Sequence, residues 1–286
     1  MLCEKAVLVT RPGAGIFVNS IPSYIIDSSQ ATIMVFLEWT IEQSGTFNLA
    51  FEGIRMRAVQ EECSIRFSYL GIDKFNESEV QKLSGDADGI IMLAEYDRKK
   101  IDFSPRVPAV GVGWQNTASS VSVVDLDPFE AAELAVKYFQ QTEAEEVMII
   151  SSSQPNKMVR AETFANAWTR AGGKADITTF DGTPQLEKVS IEPDKNYLFT
   201  SSWALERCSH IFQRKFGSEL AQKSNILGID GRNIFDPNGH KSASIYPNWR
   251  EIGSRALQEC LERIKSPGRQ PARIYLPCSL HEEPLD

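Results

Sequence analysis

Short apolar runs rich in β-branched residues alternate with longer stretches whose apolar residues recur at helical spacing, and this rhythm runs through the chain twice. Such alternation forces a parallel α/β architecture, because consecutive parallel strands can be joined only by a crossover long enough to hold a helix. In the first round, Thr32 to Leu37, Ser64 to Leu70, Gly89 to Leu93, Ala109 to Val112 and Val121 to Val124 read as strands. Thr46 to Glu61 reads as a helix with Phe47, Ala50, Phe51, Ile54 and Ala58 on one face, followed by a short helix at Asn76 to Leu83. Pro128 to Gln141 is a further helix, with Asp127 in the N-cap position and Pro128 in the first turn.

The second round starts after Gln141. Glu146 to Ser151, Asp176 to Phe180, Tyr197 to Thr200 and Asn225 to Asp230 read as strands, and Met158 to Ala171 and Ala204 to Phe216 as helices. A last helix at Trp249 to Ile264 and a strand at Ile274 to Leu276 follow. The expected fold is α/β and two-lobed, made of two parallel-sheet Rossmann-like subdomains. A length of 286 residues is enough for two such units. The first thirty residues stand outside the rhythm: Leu2 to Thr10 and Ile16 to Val18 read as strands around a glycine turn, and Ile21 to Gln30 as a linker.

Chemistry can be narrowed by elimination. The formal net charge of −8 opposes binding of phosphate backbones or anionic membranes by this chain alone. Apolar runs fall far short of the ~20 residues a membrane span requires, and no signal-peptide pattern opens the chain, so a cytoplasmic location is expected. Cys3, Cys63, Cys208, Cys260 and Cys278 show no CxxC spacing, which points away from a zinc site or disulfide framework. His210, His240 and His281 form no HExxH motif, and His281 to Glu283 reads as a solvated tail. Gly111-Val112-Gly113 lacks a third glycine at dinucleotide-binding spacing, and neither a phosphate-binding loop nor a nucleophile elbow occurs. No catalytic group, metal or cofactor is therefore expected, and the chain is not read as an enzyme.

From about Thr32 to Glu283 the order of segments resembles the effector-binding portion of LacI/GalR-type transcriptional regulators, relatives of periplasmic sugar-binding proteins. The residues that carry the resemblance are Phe47 to Ile54, Asp88 to Ile91 with Val107 to Val110, and Val124 to Asp127 with Ala131, Ala135 and Phe139. Arg160 with Phe164, Ile226 to Asp230, and Tyr246-Pro247 with Ile252, Gly253 and Ala256 complete the series. Val9 to Val18 is similar to the wing of a GntR-type winged helix, which would make the chain the tail of a hybrid regulator. A chance hairpin is the alternative.

The resemblance implies a periplasmic-binding-protein-like fold with three crossovers, near Thr142, Ser244 and Pro271. The divisions it implies are 1–30 as remnant DNA-binding wing and linker, 31–143 plus 245–270 as the N-terminal subdomain, and 144–244 plus 271–286 as the C-terminal subdomain. It also implies a sugar-like effector in the cleft, operator DNA engaged through a head largely outside this chain, no membrane partner, and a homodimer. A solute-binding protein of a transport system is the alternative function on the same fold.

Sugars are held by carboxylate and arginine hydrogen bonds and by aromatic stacking on ring faces. Trp39, Phe47, Asp127, Arg160, Trp203 and Asp230 are the implied ligand-binding residues, with Glu38 a weaker polar candidate. Each has a structural alternative. Asp127 can be simply a cap, Arg160 can pair with Glu162 or Asp230, Asp230 can open a turn, and the aromatic residues can be core. Ser202-Trp203 stands where many sugar-responsive relatives have Asn-Asp, and Pro128 stands where asparagine is expected. The loss of two hydroxyl-binding groups points to a more aromatic, modified or larger ligand.

Overall fold

The structure, a computed structural model, describes residues 8–11, 15–18, 31–37, 45–71, 76–93, 105–113, 120–201, 203–206, 208, 224–230, 243–266 and 268–282. The elements of the first half are β1 (Leu8–Arg11), β2 (Gly15–Val18), β3 (Thr32–Leu37), α1 (Gly45–Gln60), β4 (Ser64–Tyr69), α2 (Glu77–Ser84), β5 (Gly89–Leu93), β6 (Ala109–Val112) and β7 (Val121–Leu126). Those of the second are α3 (Pro128–Gln141), β8 (Glu146–Ser152), α4 (Pro155–Arg170), β9 (Lys174–Phe180), α5 (Thr183–Leu186), β10 (Asn196–Phe199), β11 (Ile226–Ile229), β12 (Ala243–Pro247), α6 (Trp249–Lys265), β13 (Arg273–Leu276) and β14 (Cys278–His281). β1 and β2 pair as an antiparallel hairpin, as expected of the leading strands. The linker at 21–30, Trp39, Glu38, Trp114, Ser202, the turn at 12–14 and the helix expected beyond 208 lie outside the described residues.

Two six-stranded sheets form the two lobes. The first has the order β13-β7-β6-β5-β3-β4, parallel throughout, and the second β14-β12-β11-β10-β8-β9, parallel except for β14. β3 shows why its sequence is apolar without interruption. Ile33, Val35 and Leu37 pack beneath α1 and α6, whereas Met34 and Phe36 point to the opposite face with Val80 of α2. A strand covered on both faces has no position for a polar side chain. In the second lobe Val147 and Ile149 face Phe139, Phe164 and Trp168 of α3 and α4, while Ile150, Tyr197 and Phe199 fill the other face with Phe180.

The chain passes between the sheets at Asp127, Asn248 and Pro277; the last two lie close to the expected Ser244 and Pro271, whereas the first lies well before the expected Thr142. The first of these is a correction of consequence. α3 carries Ala131, Ala132, Ala135 and Phe139 into the second lobe's core, so this helix leaves the first lobe directly after β7. Its apolar stripe says that it packs; only the partner face says where. The three crossings lie side by side, since Leu126 pairs with Leu276 and Pro247 pairs with Cys278 across adjacent strands. Asp127 N also donates to Leu276 O at 2.8 Å.

β14 corrects a second expectation. His281 is not in a solvated tail but pairs with Ser244 in β14, with its ring centroid 5.7 Å from that of Tyr246. Four residues with polar ends give too little periodicity to reveal a strand. Sequence boundaries elsewhere shift by a few residues, most at α4, which begins at Pro155 because proline suits a helix's first turn.

Candidate functional site

Each strand of the second sheet except β14 runs its carboxyl end toward the junction with the first lobe, and the polar residues collect there. Arg160 lies one and a half turns into α4, where the helix returns over the ends of β10 and β11. Its Nη1 donates to Asp230 Oδ1 at 2.6 Å and to Thr200 O at 3.1 Å. Lys157, three residues earlier and so on the same helix face, places Nζ 3.0 Å from Asp230 Oδ2. One carboxylate thus holds two cations, one on each oxygen.

The arginine also reaches the first lobe. Arg160 Nη2 is 3.6 Å from Oδ1 of Asp125 in β7, and both side chains are 2% exposed. Asp125 Oδ1 in turn accepts from Leu126 N at 2.8 Å. A buried charge of this kind is tolerated only when matched, and removal of one partner from such a set costs about 3–5 kcal/mol. Asp230 has φ +106°, outside the range that residues with a β-carbon readily adopt. Strain held in place at a buried ion cluster is a feature of functional sites.

Ser151 and Thr200, at the ends of β8 and β10, share a 2.9 Å hydroxyl contact beside this cluster. The connection from β8 to α4 holds three further side-chain atoms, Ser152 Oγ, Gln154 Oε1 and Asn156 Oδ1, buried and without a hydrogen-bond partner among the described residues. Asn156 faces the other lobe: a β-carbon placed on Gly113, just past β6, would stand 3.9 Å from its Nδ2. Gln154 is the N-cap of α4 but makes no capping hydrogen bond with its side chain.

The sequence candidates fare unevenly. Arg160 and Asp230 are brought into contact, with Asp125 and Lys157 as partners that sequence reasoning missed. Lys157 had a detectable signal, its three-residue spacing from Arg160; Asp125 had none, because its partner lies in the other lobe and leaves no local pattern. Asp127 caps α3, its Oδ1 accepting from Phe129 N at 2.8 Å and Glu130 N at 3.3 Å. Phe47 is half-buried against the first lobe's core, edge-on to Trp249 with 6.4 Å between ring centroids. Trp249 itself is buried. Trp203 is 45% exposed at the carboxyl edge of the second sheet, its ring centroid 6.2 Å from that of Phe180. Among the described residues no group of histidine, cysteine, aspartate and glutamate could hold a metal ion, and no described helix is long and apolar enough to cross a membrane.

No protein-family model matches the chain, and no curated protein matches its sequence. Solved structures do match in shape. A LacI transcriptional regulator from a Rhodococcus species superposes with a TM-score of 0.69 at 16% identity, over 88% of this chain and 97% of that one. The fold is of the LacI and periplasmic-binding-protein type. A periplasmic binding protein/LacI transcriptional regulator from Alkaliphilus metalliredigens, complexed with D-xylulofuranose, gives a TM-score of 0.68 at 13% identity, over 90% of this chain and 100% of that one. A LacI family transcriptional regulator from Weissella paramesenteroides with bound sucrose gives 0.67 at 14% identity, over 88% and 97%.

Proposed function

We propose that the chain is the effector-sensing part of a LacI-type transcriptional regulator. It binds a small sugar-like metabolite between its lobes and passes lobe movement to a DNA-binding head. The observation that carries this reading is the buried Arg160 set, in which one guanidinium contacts Asp230 of its own lobe and Asp125 of the other. A ligand inserted at such a junction makes different contacts in open and closed forms, the requirement for coupling it to a distant site. The sugars bound by the Alkaliphilus and Weissella regulators support a carbohydrate-like effector.

The finer parts of the reading are these. Asp230, Arg160 and Trp203 contact the effector, as do Phe47 of the opposite lobe and Trp39, with Asp127 in its capping role at the hinge. The protein is a cytoplasmic homodimer, not a catalyst, and the β1–β2 hairpin, with its Arg11 and flanking glycines, is the wing of a GntR-type head.

Thermal unfolding with a panel of neutral carbohydrates and nucleosides tests the sensing role. A ligand at a hundredfold excess over its Kd stabilises the folded chain by about 2.7 kcal/mol, raising Tm by several degrees. Arg160→Ala should abolish that shift. A silent panel, together with a variant that behaves like the parent, would remove the sensing reading. Light scattering separates the regulator, a dimer, from a monomeric solute-binding protein of a transport system.

A further inference from the structure

The described polar groups at the lobe junction fall into two sets with different consequences for a ligand. Lys157 and Arg160 are held by Asp230, and Arg160 also by Asp125, so two cations and two carboxylates answer one another inside the protein. This set presents no net charge. The second set is uncharged: Ser152 Oγ, Gln154 Oε1 and Asn156 Oδ1 have no hydrogen-bond partner among the described residues, and Asn156 is 4% exposed. Buried carbonyl oxygens without donors are costly, and a ligand hydroxyl or N–H that reaches them recovers that cost.

Past the carboxyl end of β10, the strand beside β8, stands an exposed indole. Phe180 O accepts from Ser153 N at 3.1 Å, and Trp203 lies against the Phe180 ring at an interplanar angle of 32°. The indole and the three atoms thus stand past the carboxyl ends of neighbouring parallel strands. An exposed tryptophan beside donor-seeking carbonyls suits a molecule with a flat ring at one end and hydroxyls at the other.

We propose that the site takes a neutral polyol bearing an aromatic group, an aryl glycoside or a nucleoside, and discriminates against its phosphorylated form. The hydroxyls donate to Gln154 and Asn156, and the aromatic ring stacks on Trp203. A phosphate finds no uncommitted cation among these residues, and it would stand near the carboxylates of Asp125 and Asp230. The positive end of α4 attracts anions, but that attraction is weaker than the like-charge repulsion and the disruption of a buried pair. This inference rests on the sensing reading above and specifies its ligand.

The test is calorimetric titration of the full chain with adenosine and phenyl β-D-glucopyranoside, their parent sugars D-ribose and D-glucose, and AMP and glucose 6-phosphate. At least one neutral aromatic compound should bind roughly tenfold or more tighter than its parent sugar, with binding lost in the phosphorylated compound. Trp203→Ala, a change at an exposed position, should bring the aromatic compound down to the affinity of its parent. Adenosine binding assigns the ring to a nucleobase, and binding of the phenyl glucoside assigns it to an aglycone. If a bare sugar or a phosphorylated compound binds as tightly as the aromatic one, the ligand class is overturned while the sensing reading stands. If none of the six binds but other carbohydrates stabilise the chain, the outcome is the same; silence from every compound overturns both.

Discussion

At Asp230 the backbone is turned to φ +106° while one carboxylate holds Lys157 on one oxygen and Arg160 on the other. Asp230→Asn preserves the shape and removes the charge, leaving two buried cations to a single remaining carboxylate. The expected loss is about 3 kcal/mol of stability, read from the midpoint of urea unfolding; an unchanged midpoint would mean that the cluster does not hold the fold. A different side-chain property governs the thiols. Burial pushes Cys208, Cys260 and Cys278 up to about 12, with Glu130 and Asp127 adding to the effect at Cys278. These thiols stay protonated in the folded chain at pH 8, so alkylation by iodoacetamide should be at least about tenfold slower than in urea, as peptide mass spectrometry can measure. Because the folded values lie above the ordinary thiol value, their contribution to stability is complete below pH 9 and is lost as pH rises toward 12.

Among the described elements, α1 and α6 cross with their main chains close together. A β-carbon on Gly53 would collide with the backbone of Arg250, and one on Gly253 with the backbone of Ala50, so each helix carries its glycine where the other's main chain passes. Exposed Arg250 adds a 2.8 Å bond from Nε to Glu52 across the same crossing. Gly53→Ala or Gly253→Ala gains up to about 1 kcal/mol of helix propensity but must separate the helices, for a net loss of about 2 kcal/mol each. The double variant should lose less than the sum, because the helices need part only once; strict additivity in thermal unfolding would contradict the shared-crossing explanation. Both glycines were visible in the sequence as parts of recurring patterns. Their reason was not, since the two positions are two hundred residues apart in the chain and meet only when both helices pack on the first sheet.

On the scale of the whole molecule, three adjacent crossings join the lobes, and the Asp125–Arg160 pair spans the junction on the side of the strands' carboxyl ends. Adjacent connections act as a hinge, and a charge pair beside them resists separation of the lobes. Asp125→Asn weakens that resistance yet leaves Arg160 its bonds to Asp230 and Thr200. The radius of gyration from small-angle scattering should rise while far-UV circular dichroism stays constant; no change in the scattering curve would show that the pair does not restrain the lobes.

The alternating periodicities determined the parallel α/β class and its two rounds, because strand and helix patterns are set by residues a few positions apart. Arg160 and Asp230 were also legible as candidates through the resemblance to LacI/GalR-type regulators. The lobe that receives α3, the pairing of β14, the commitment of both cations to carboxylates and the exposure of Trp203 were decided only by the tertiary structure. Each depends on which distant surfaces and charges come into contact, and that information has no local period to read.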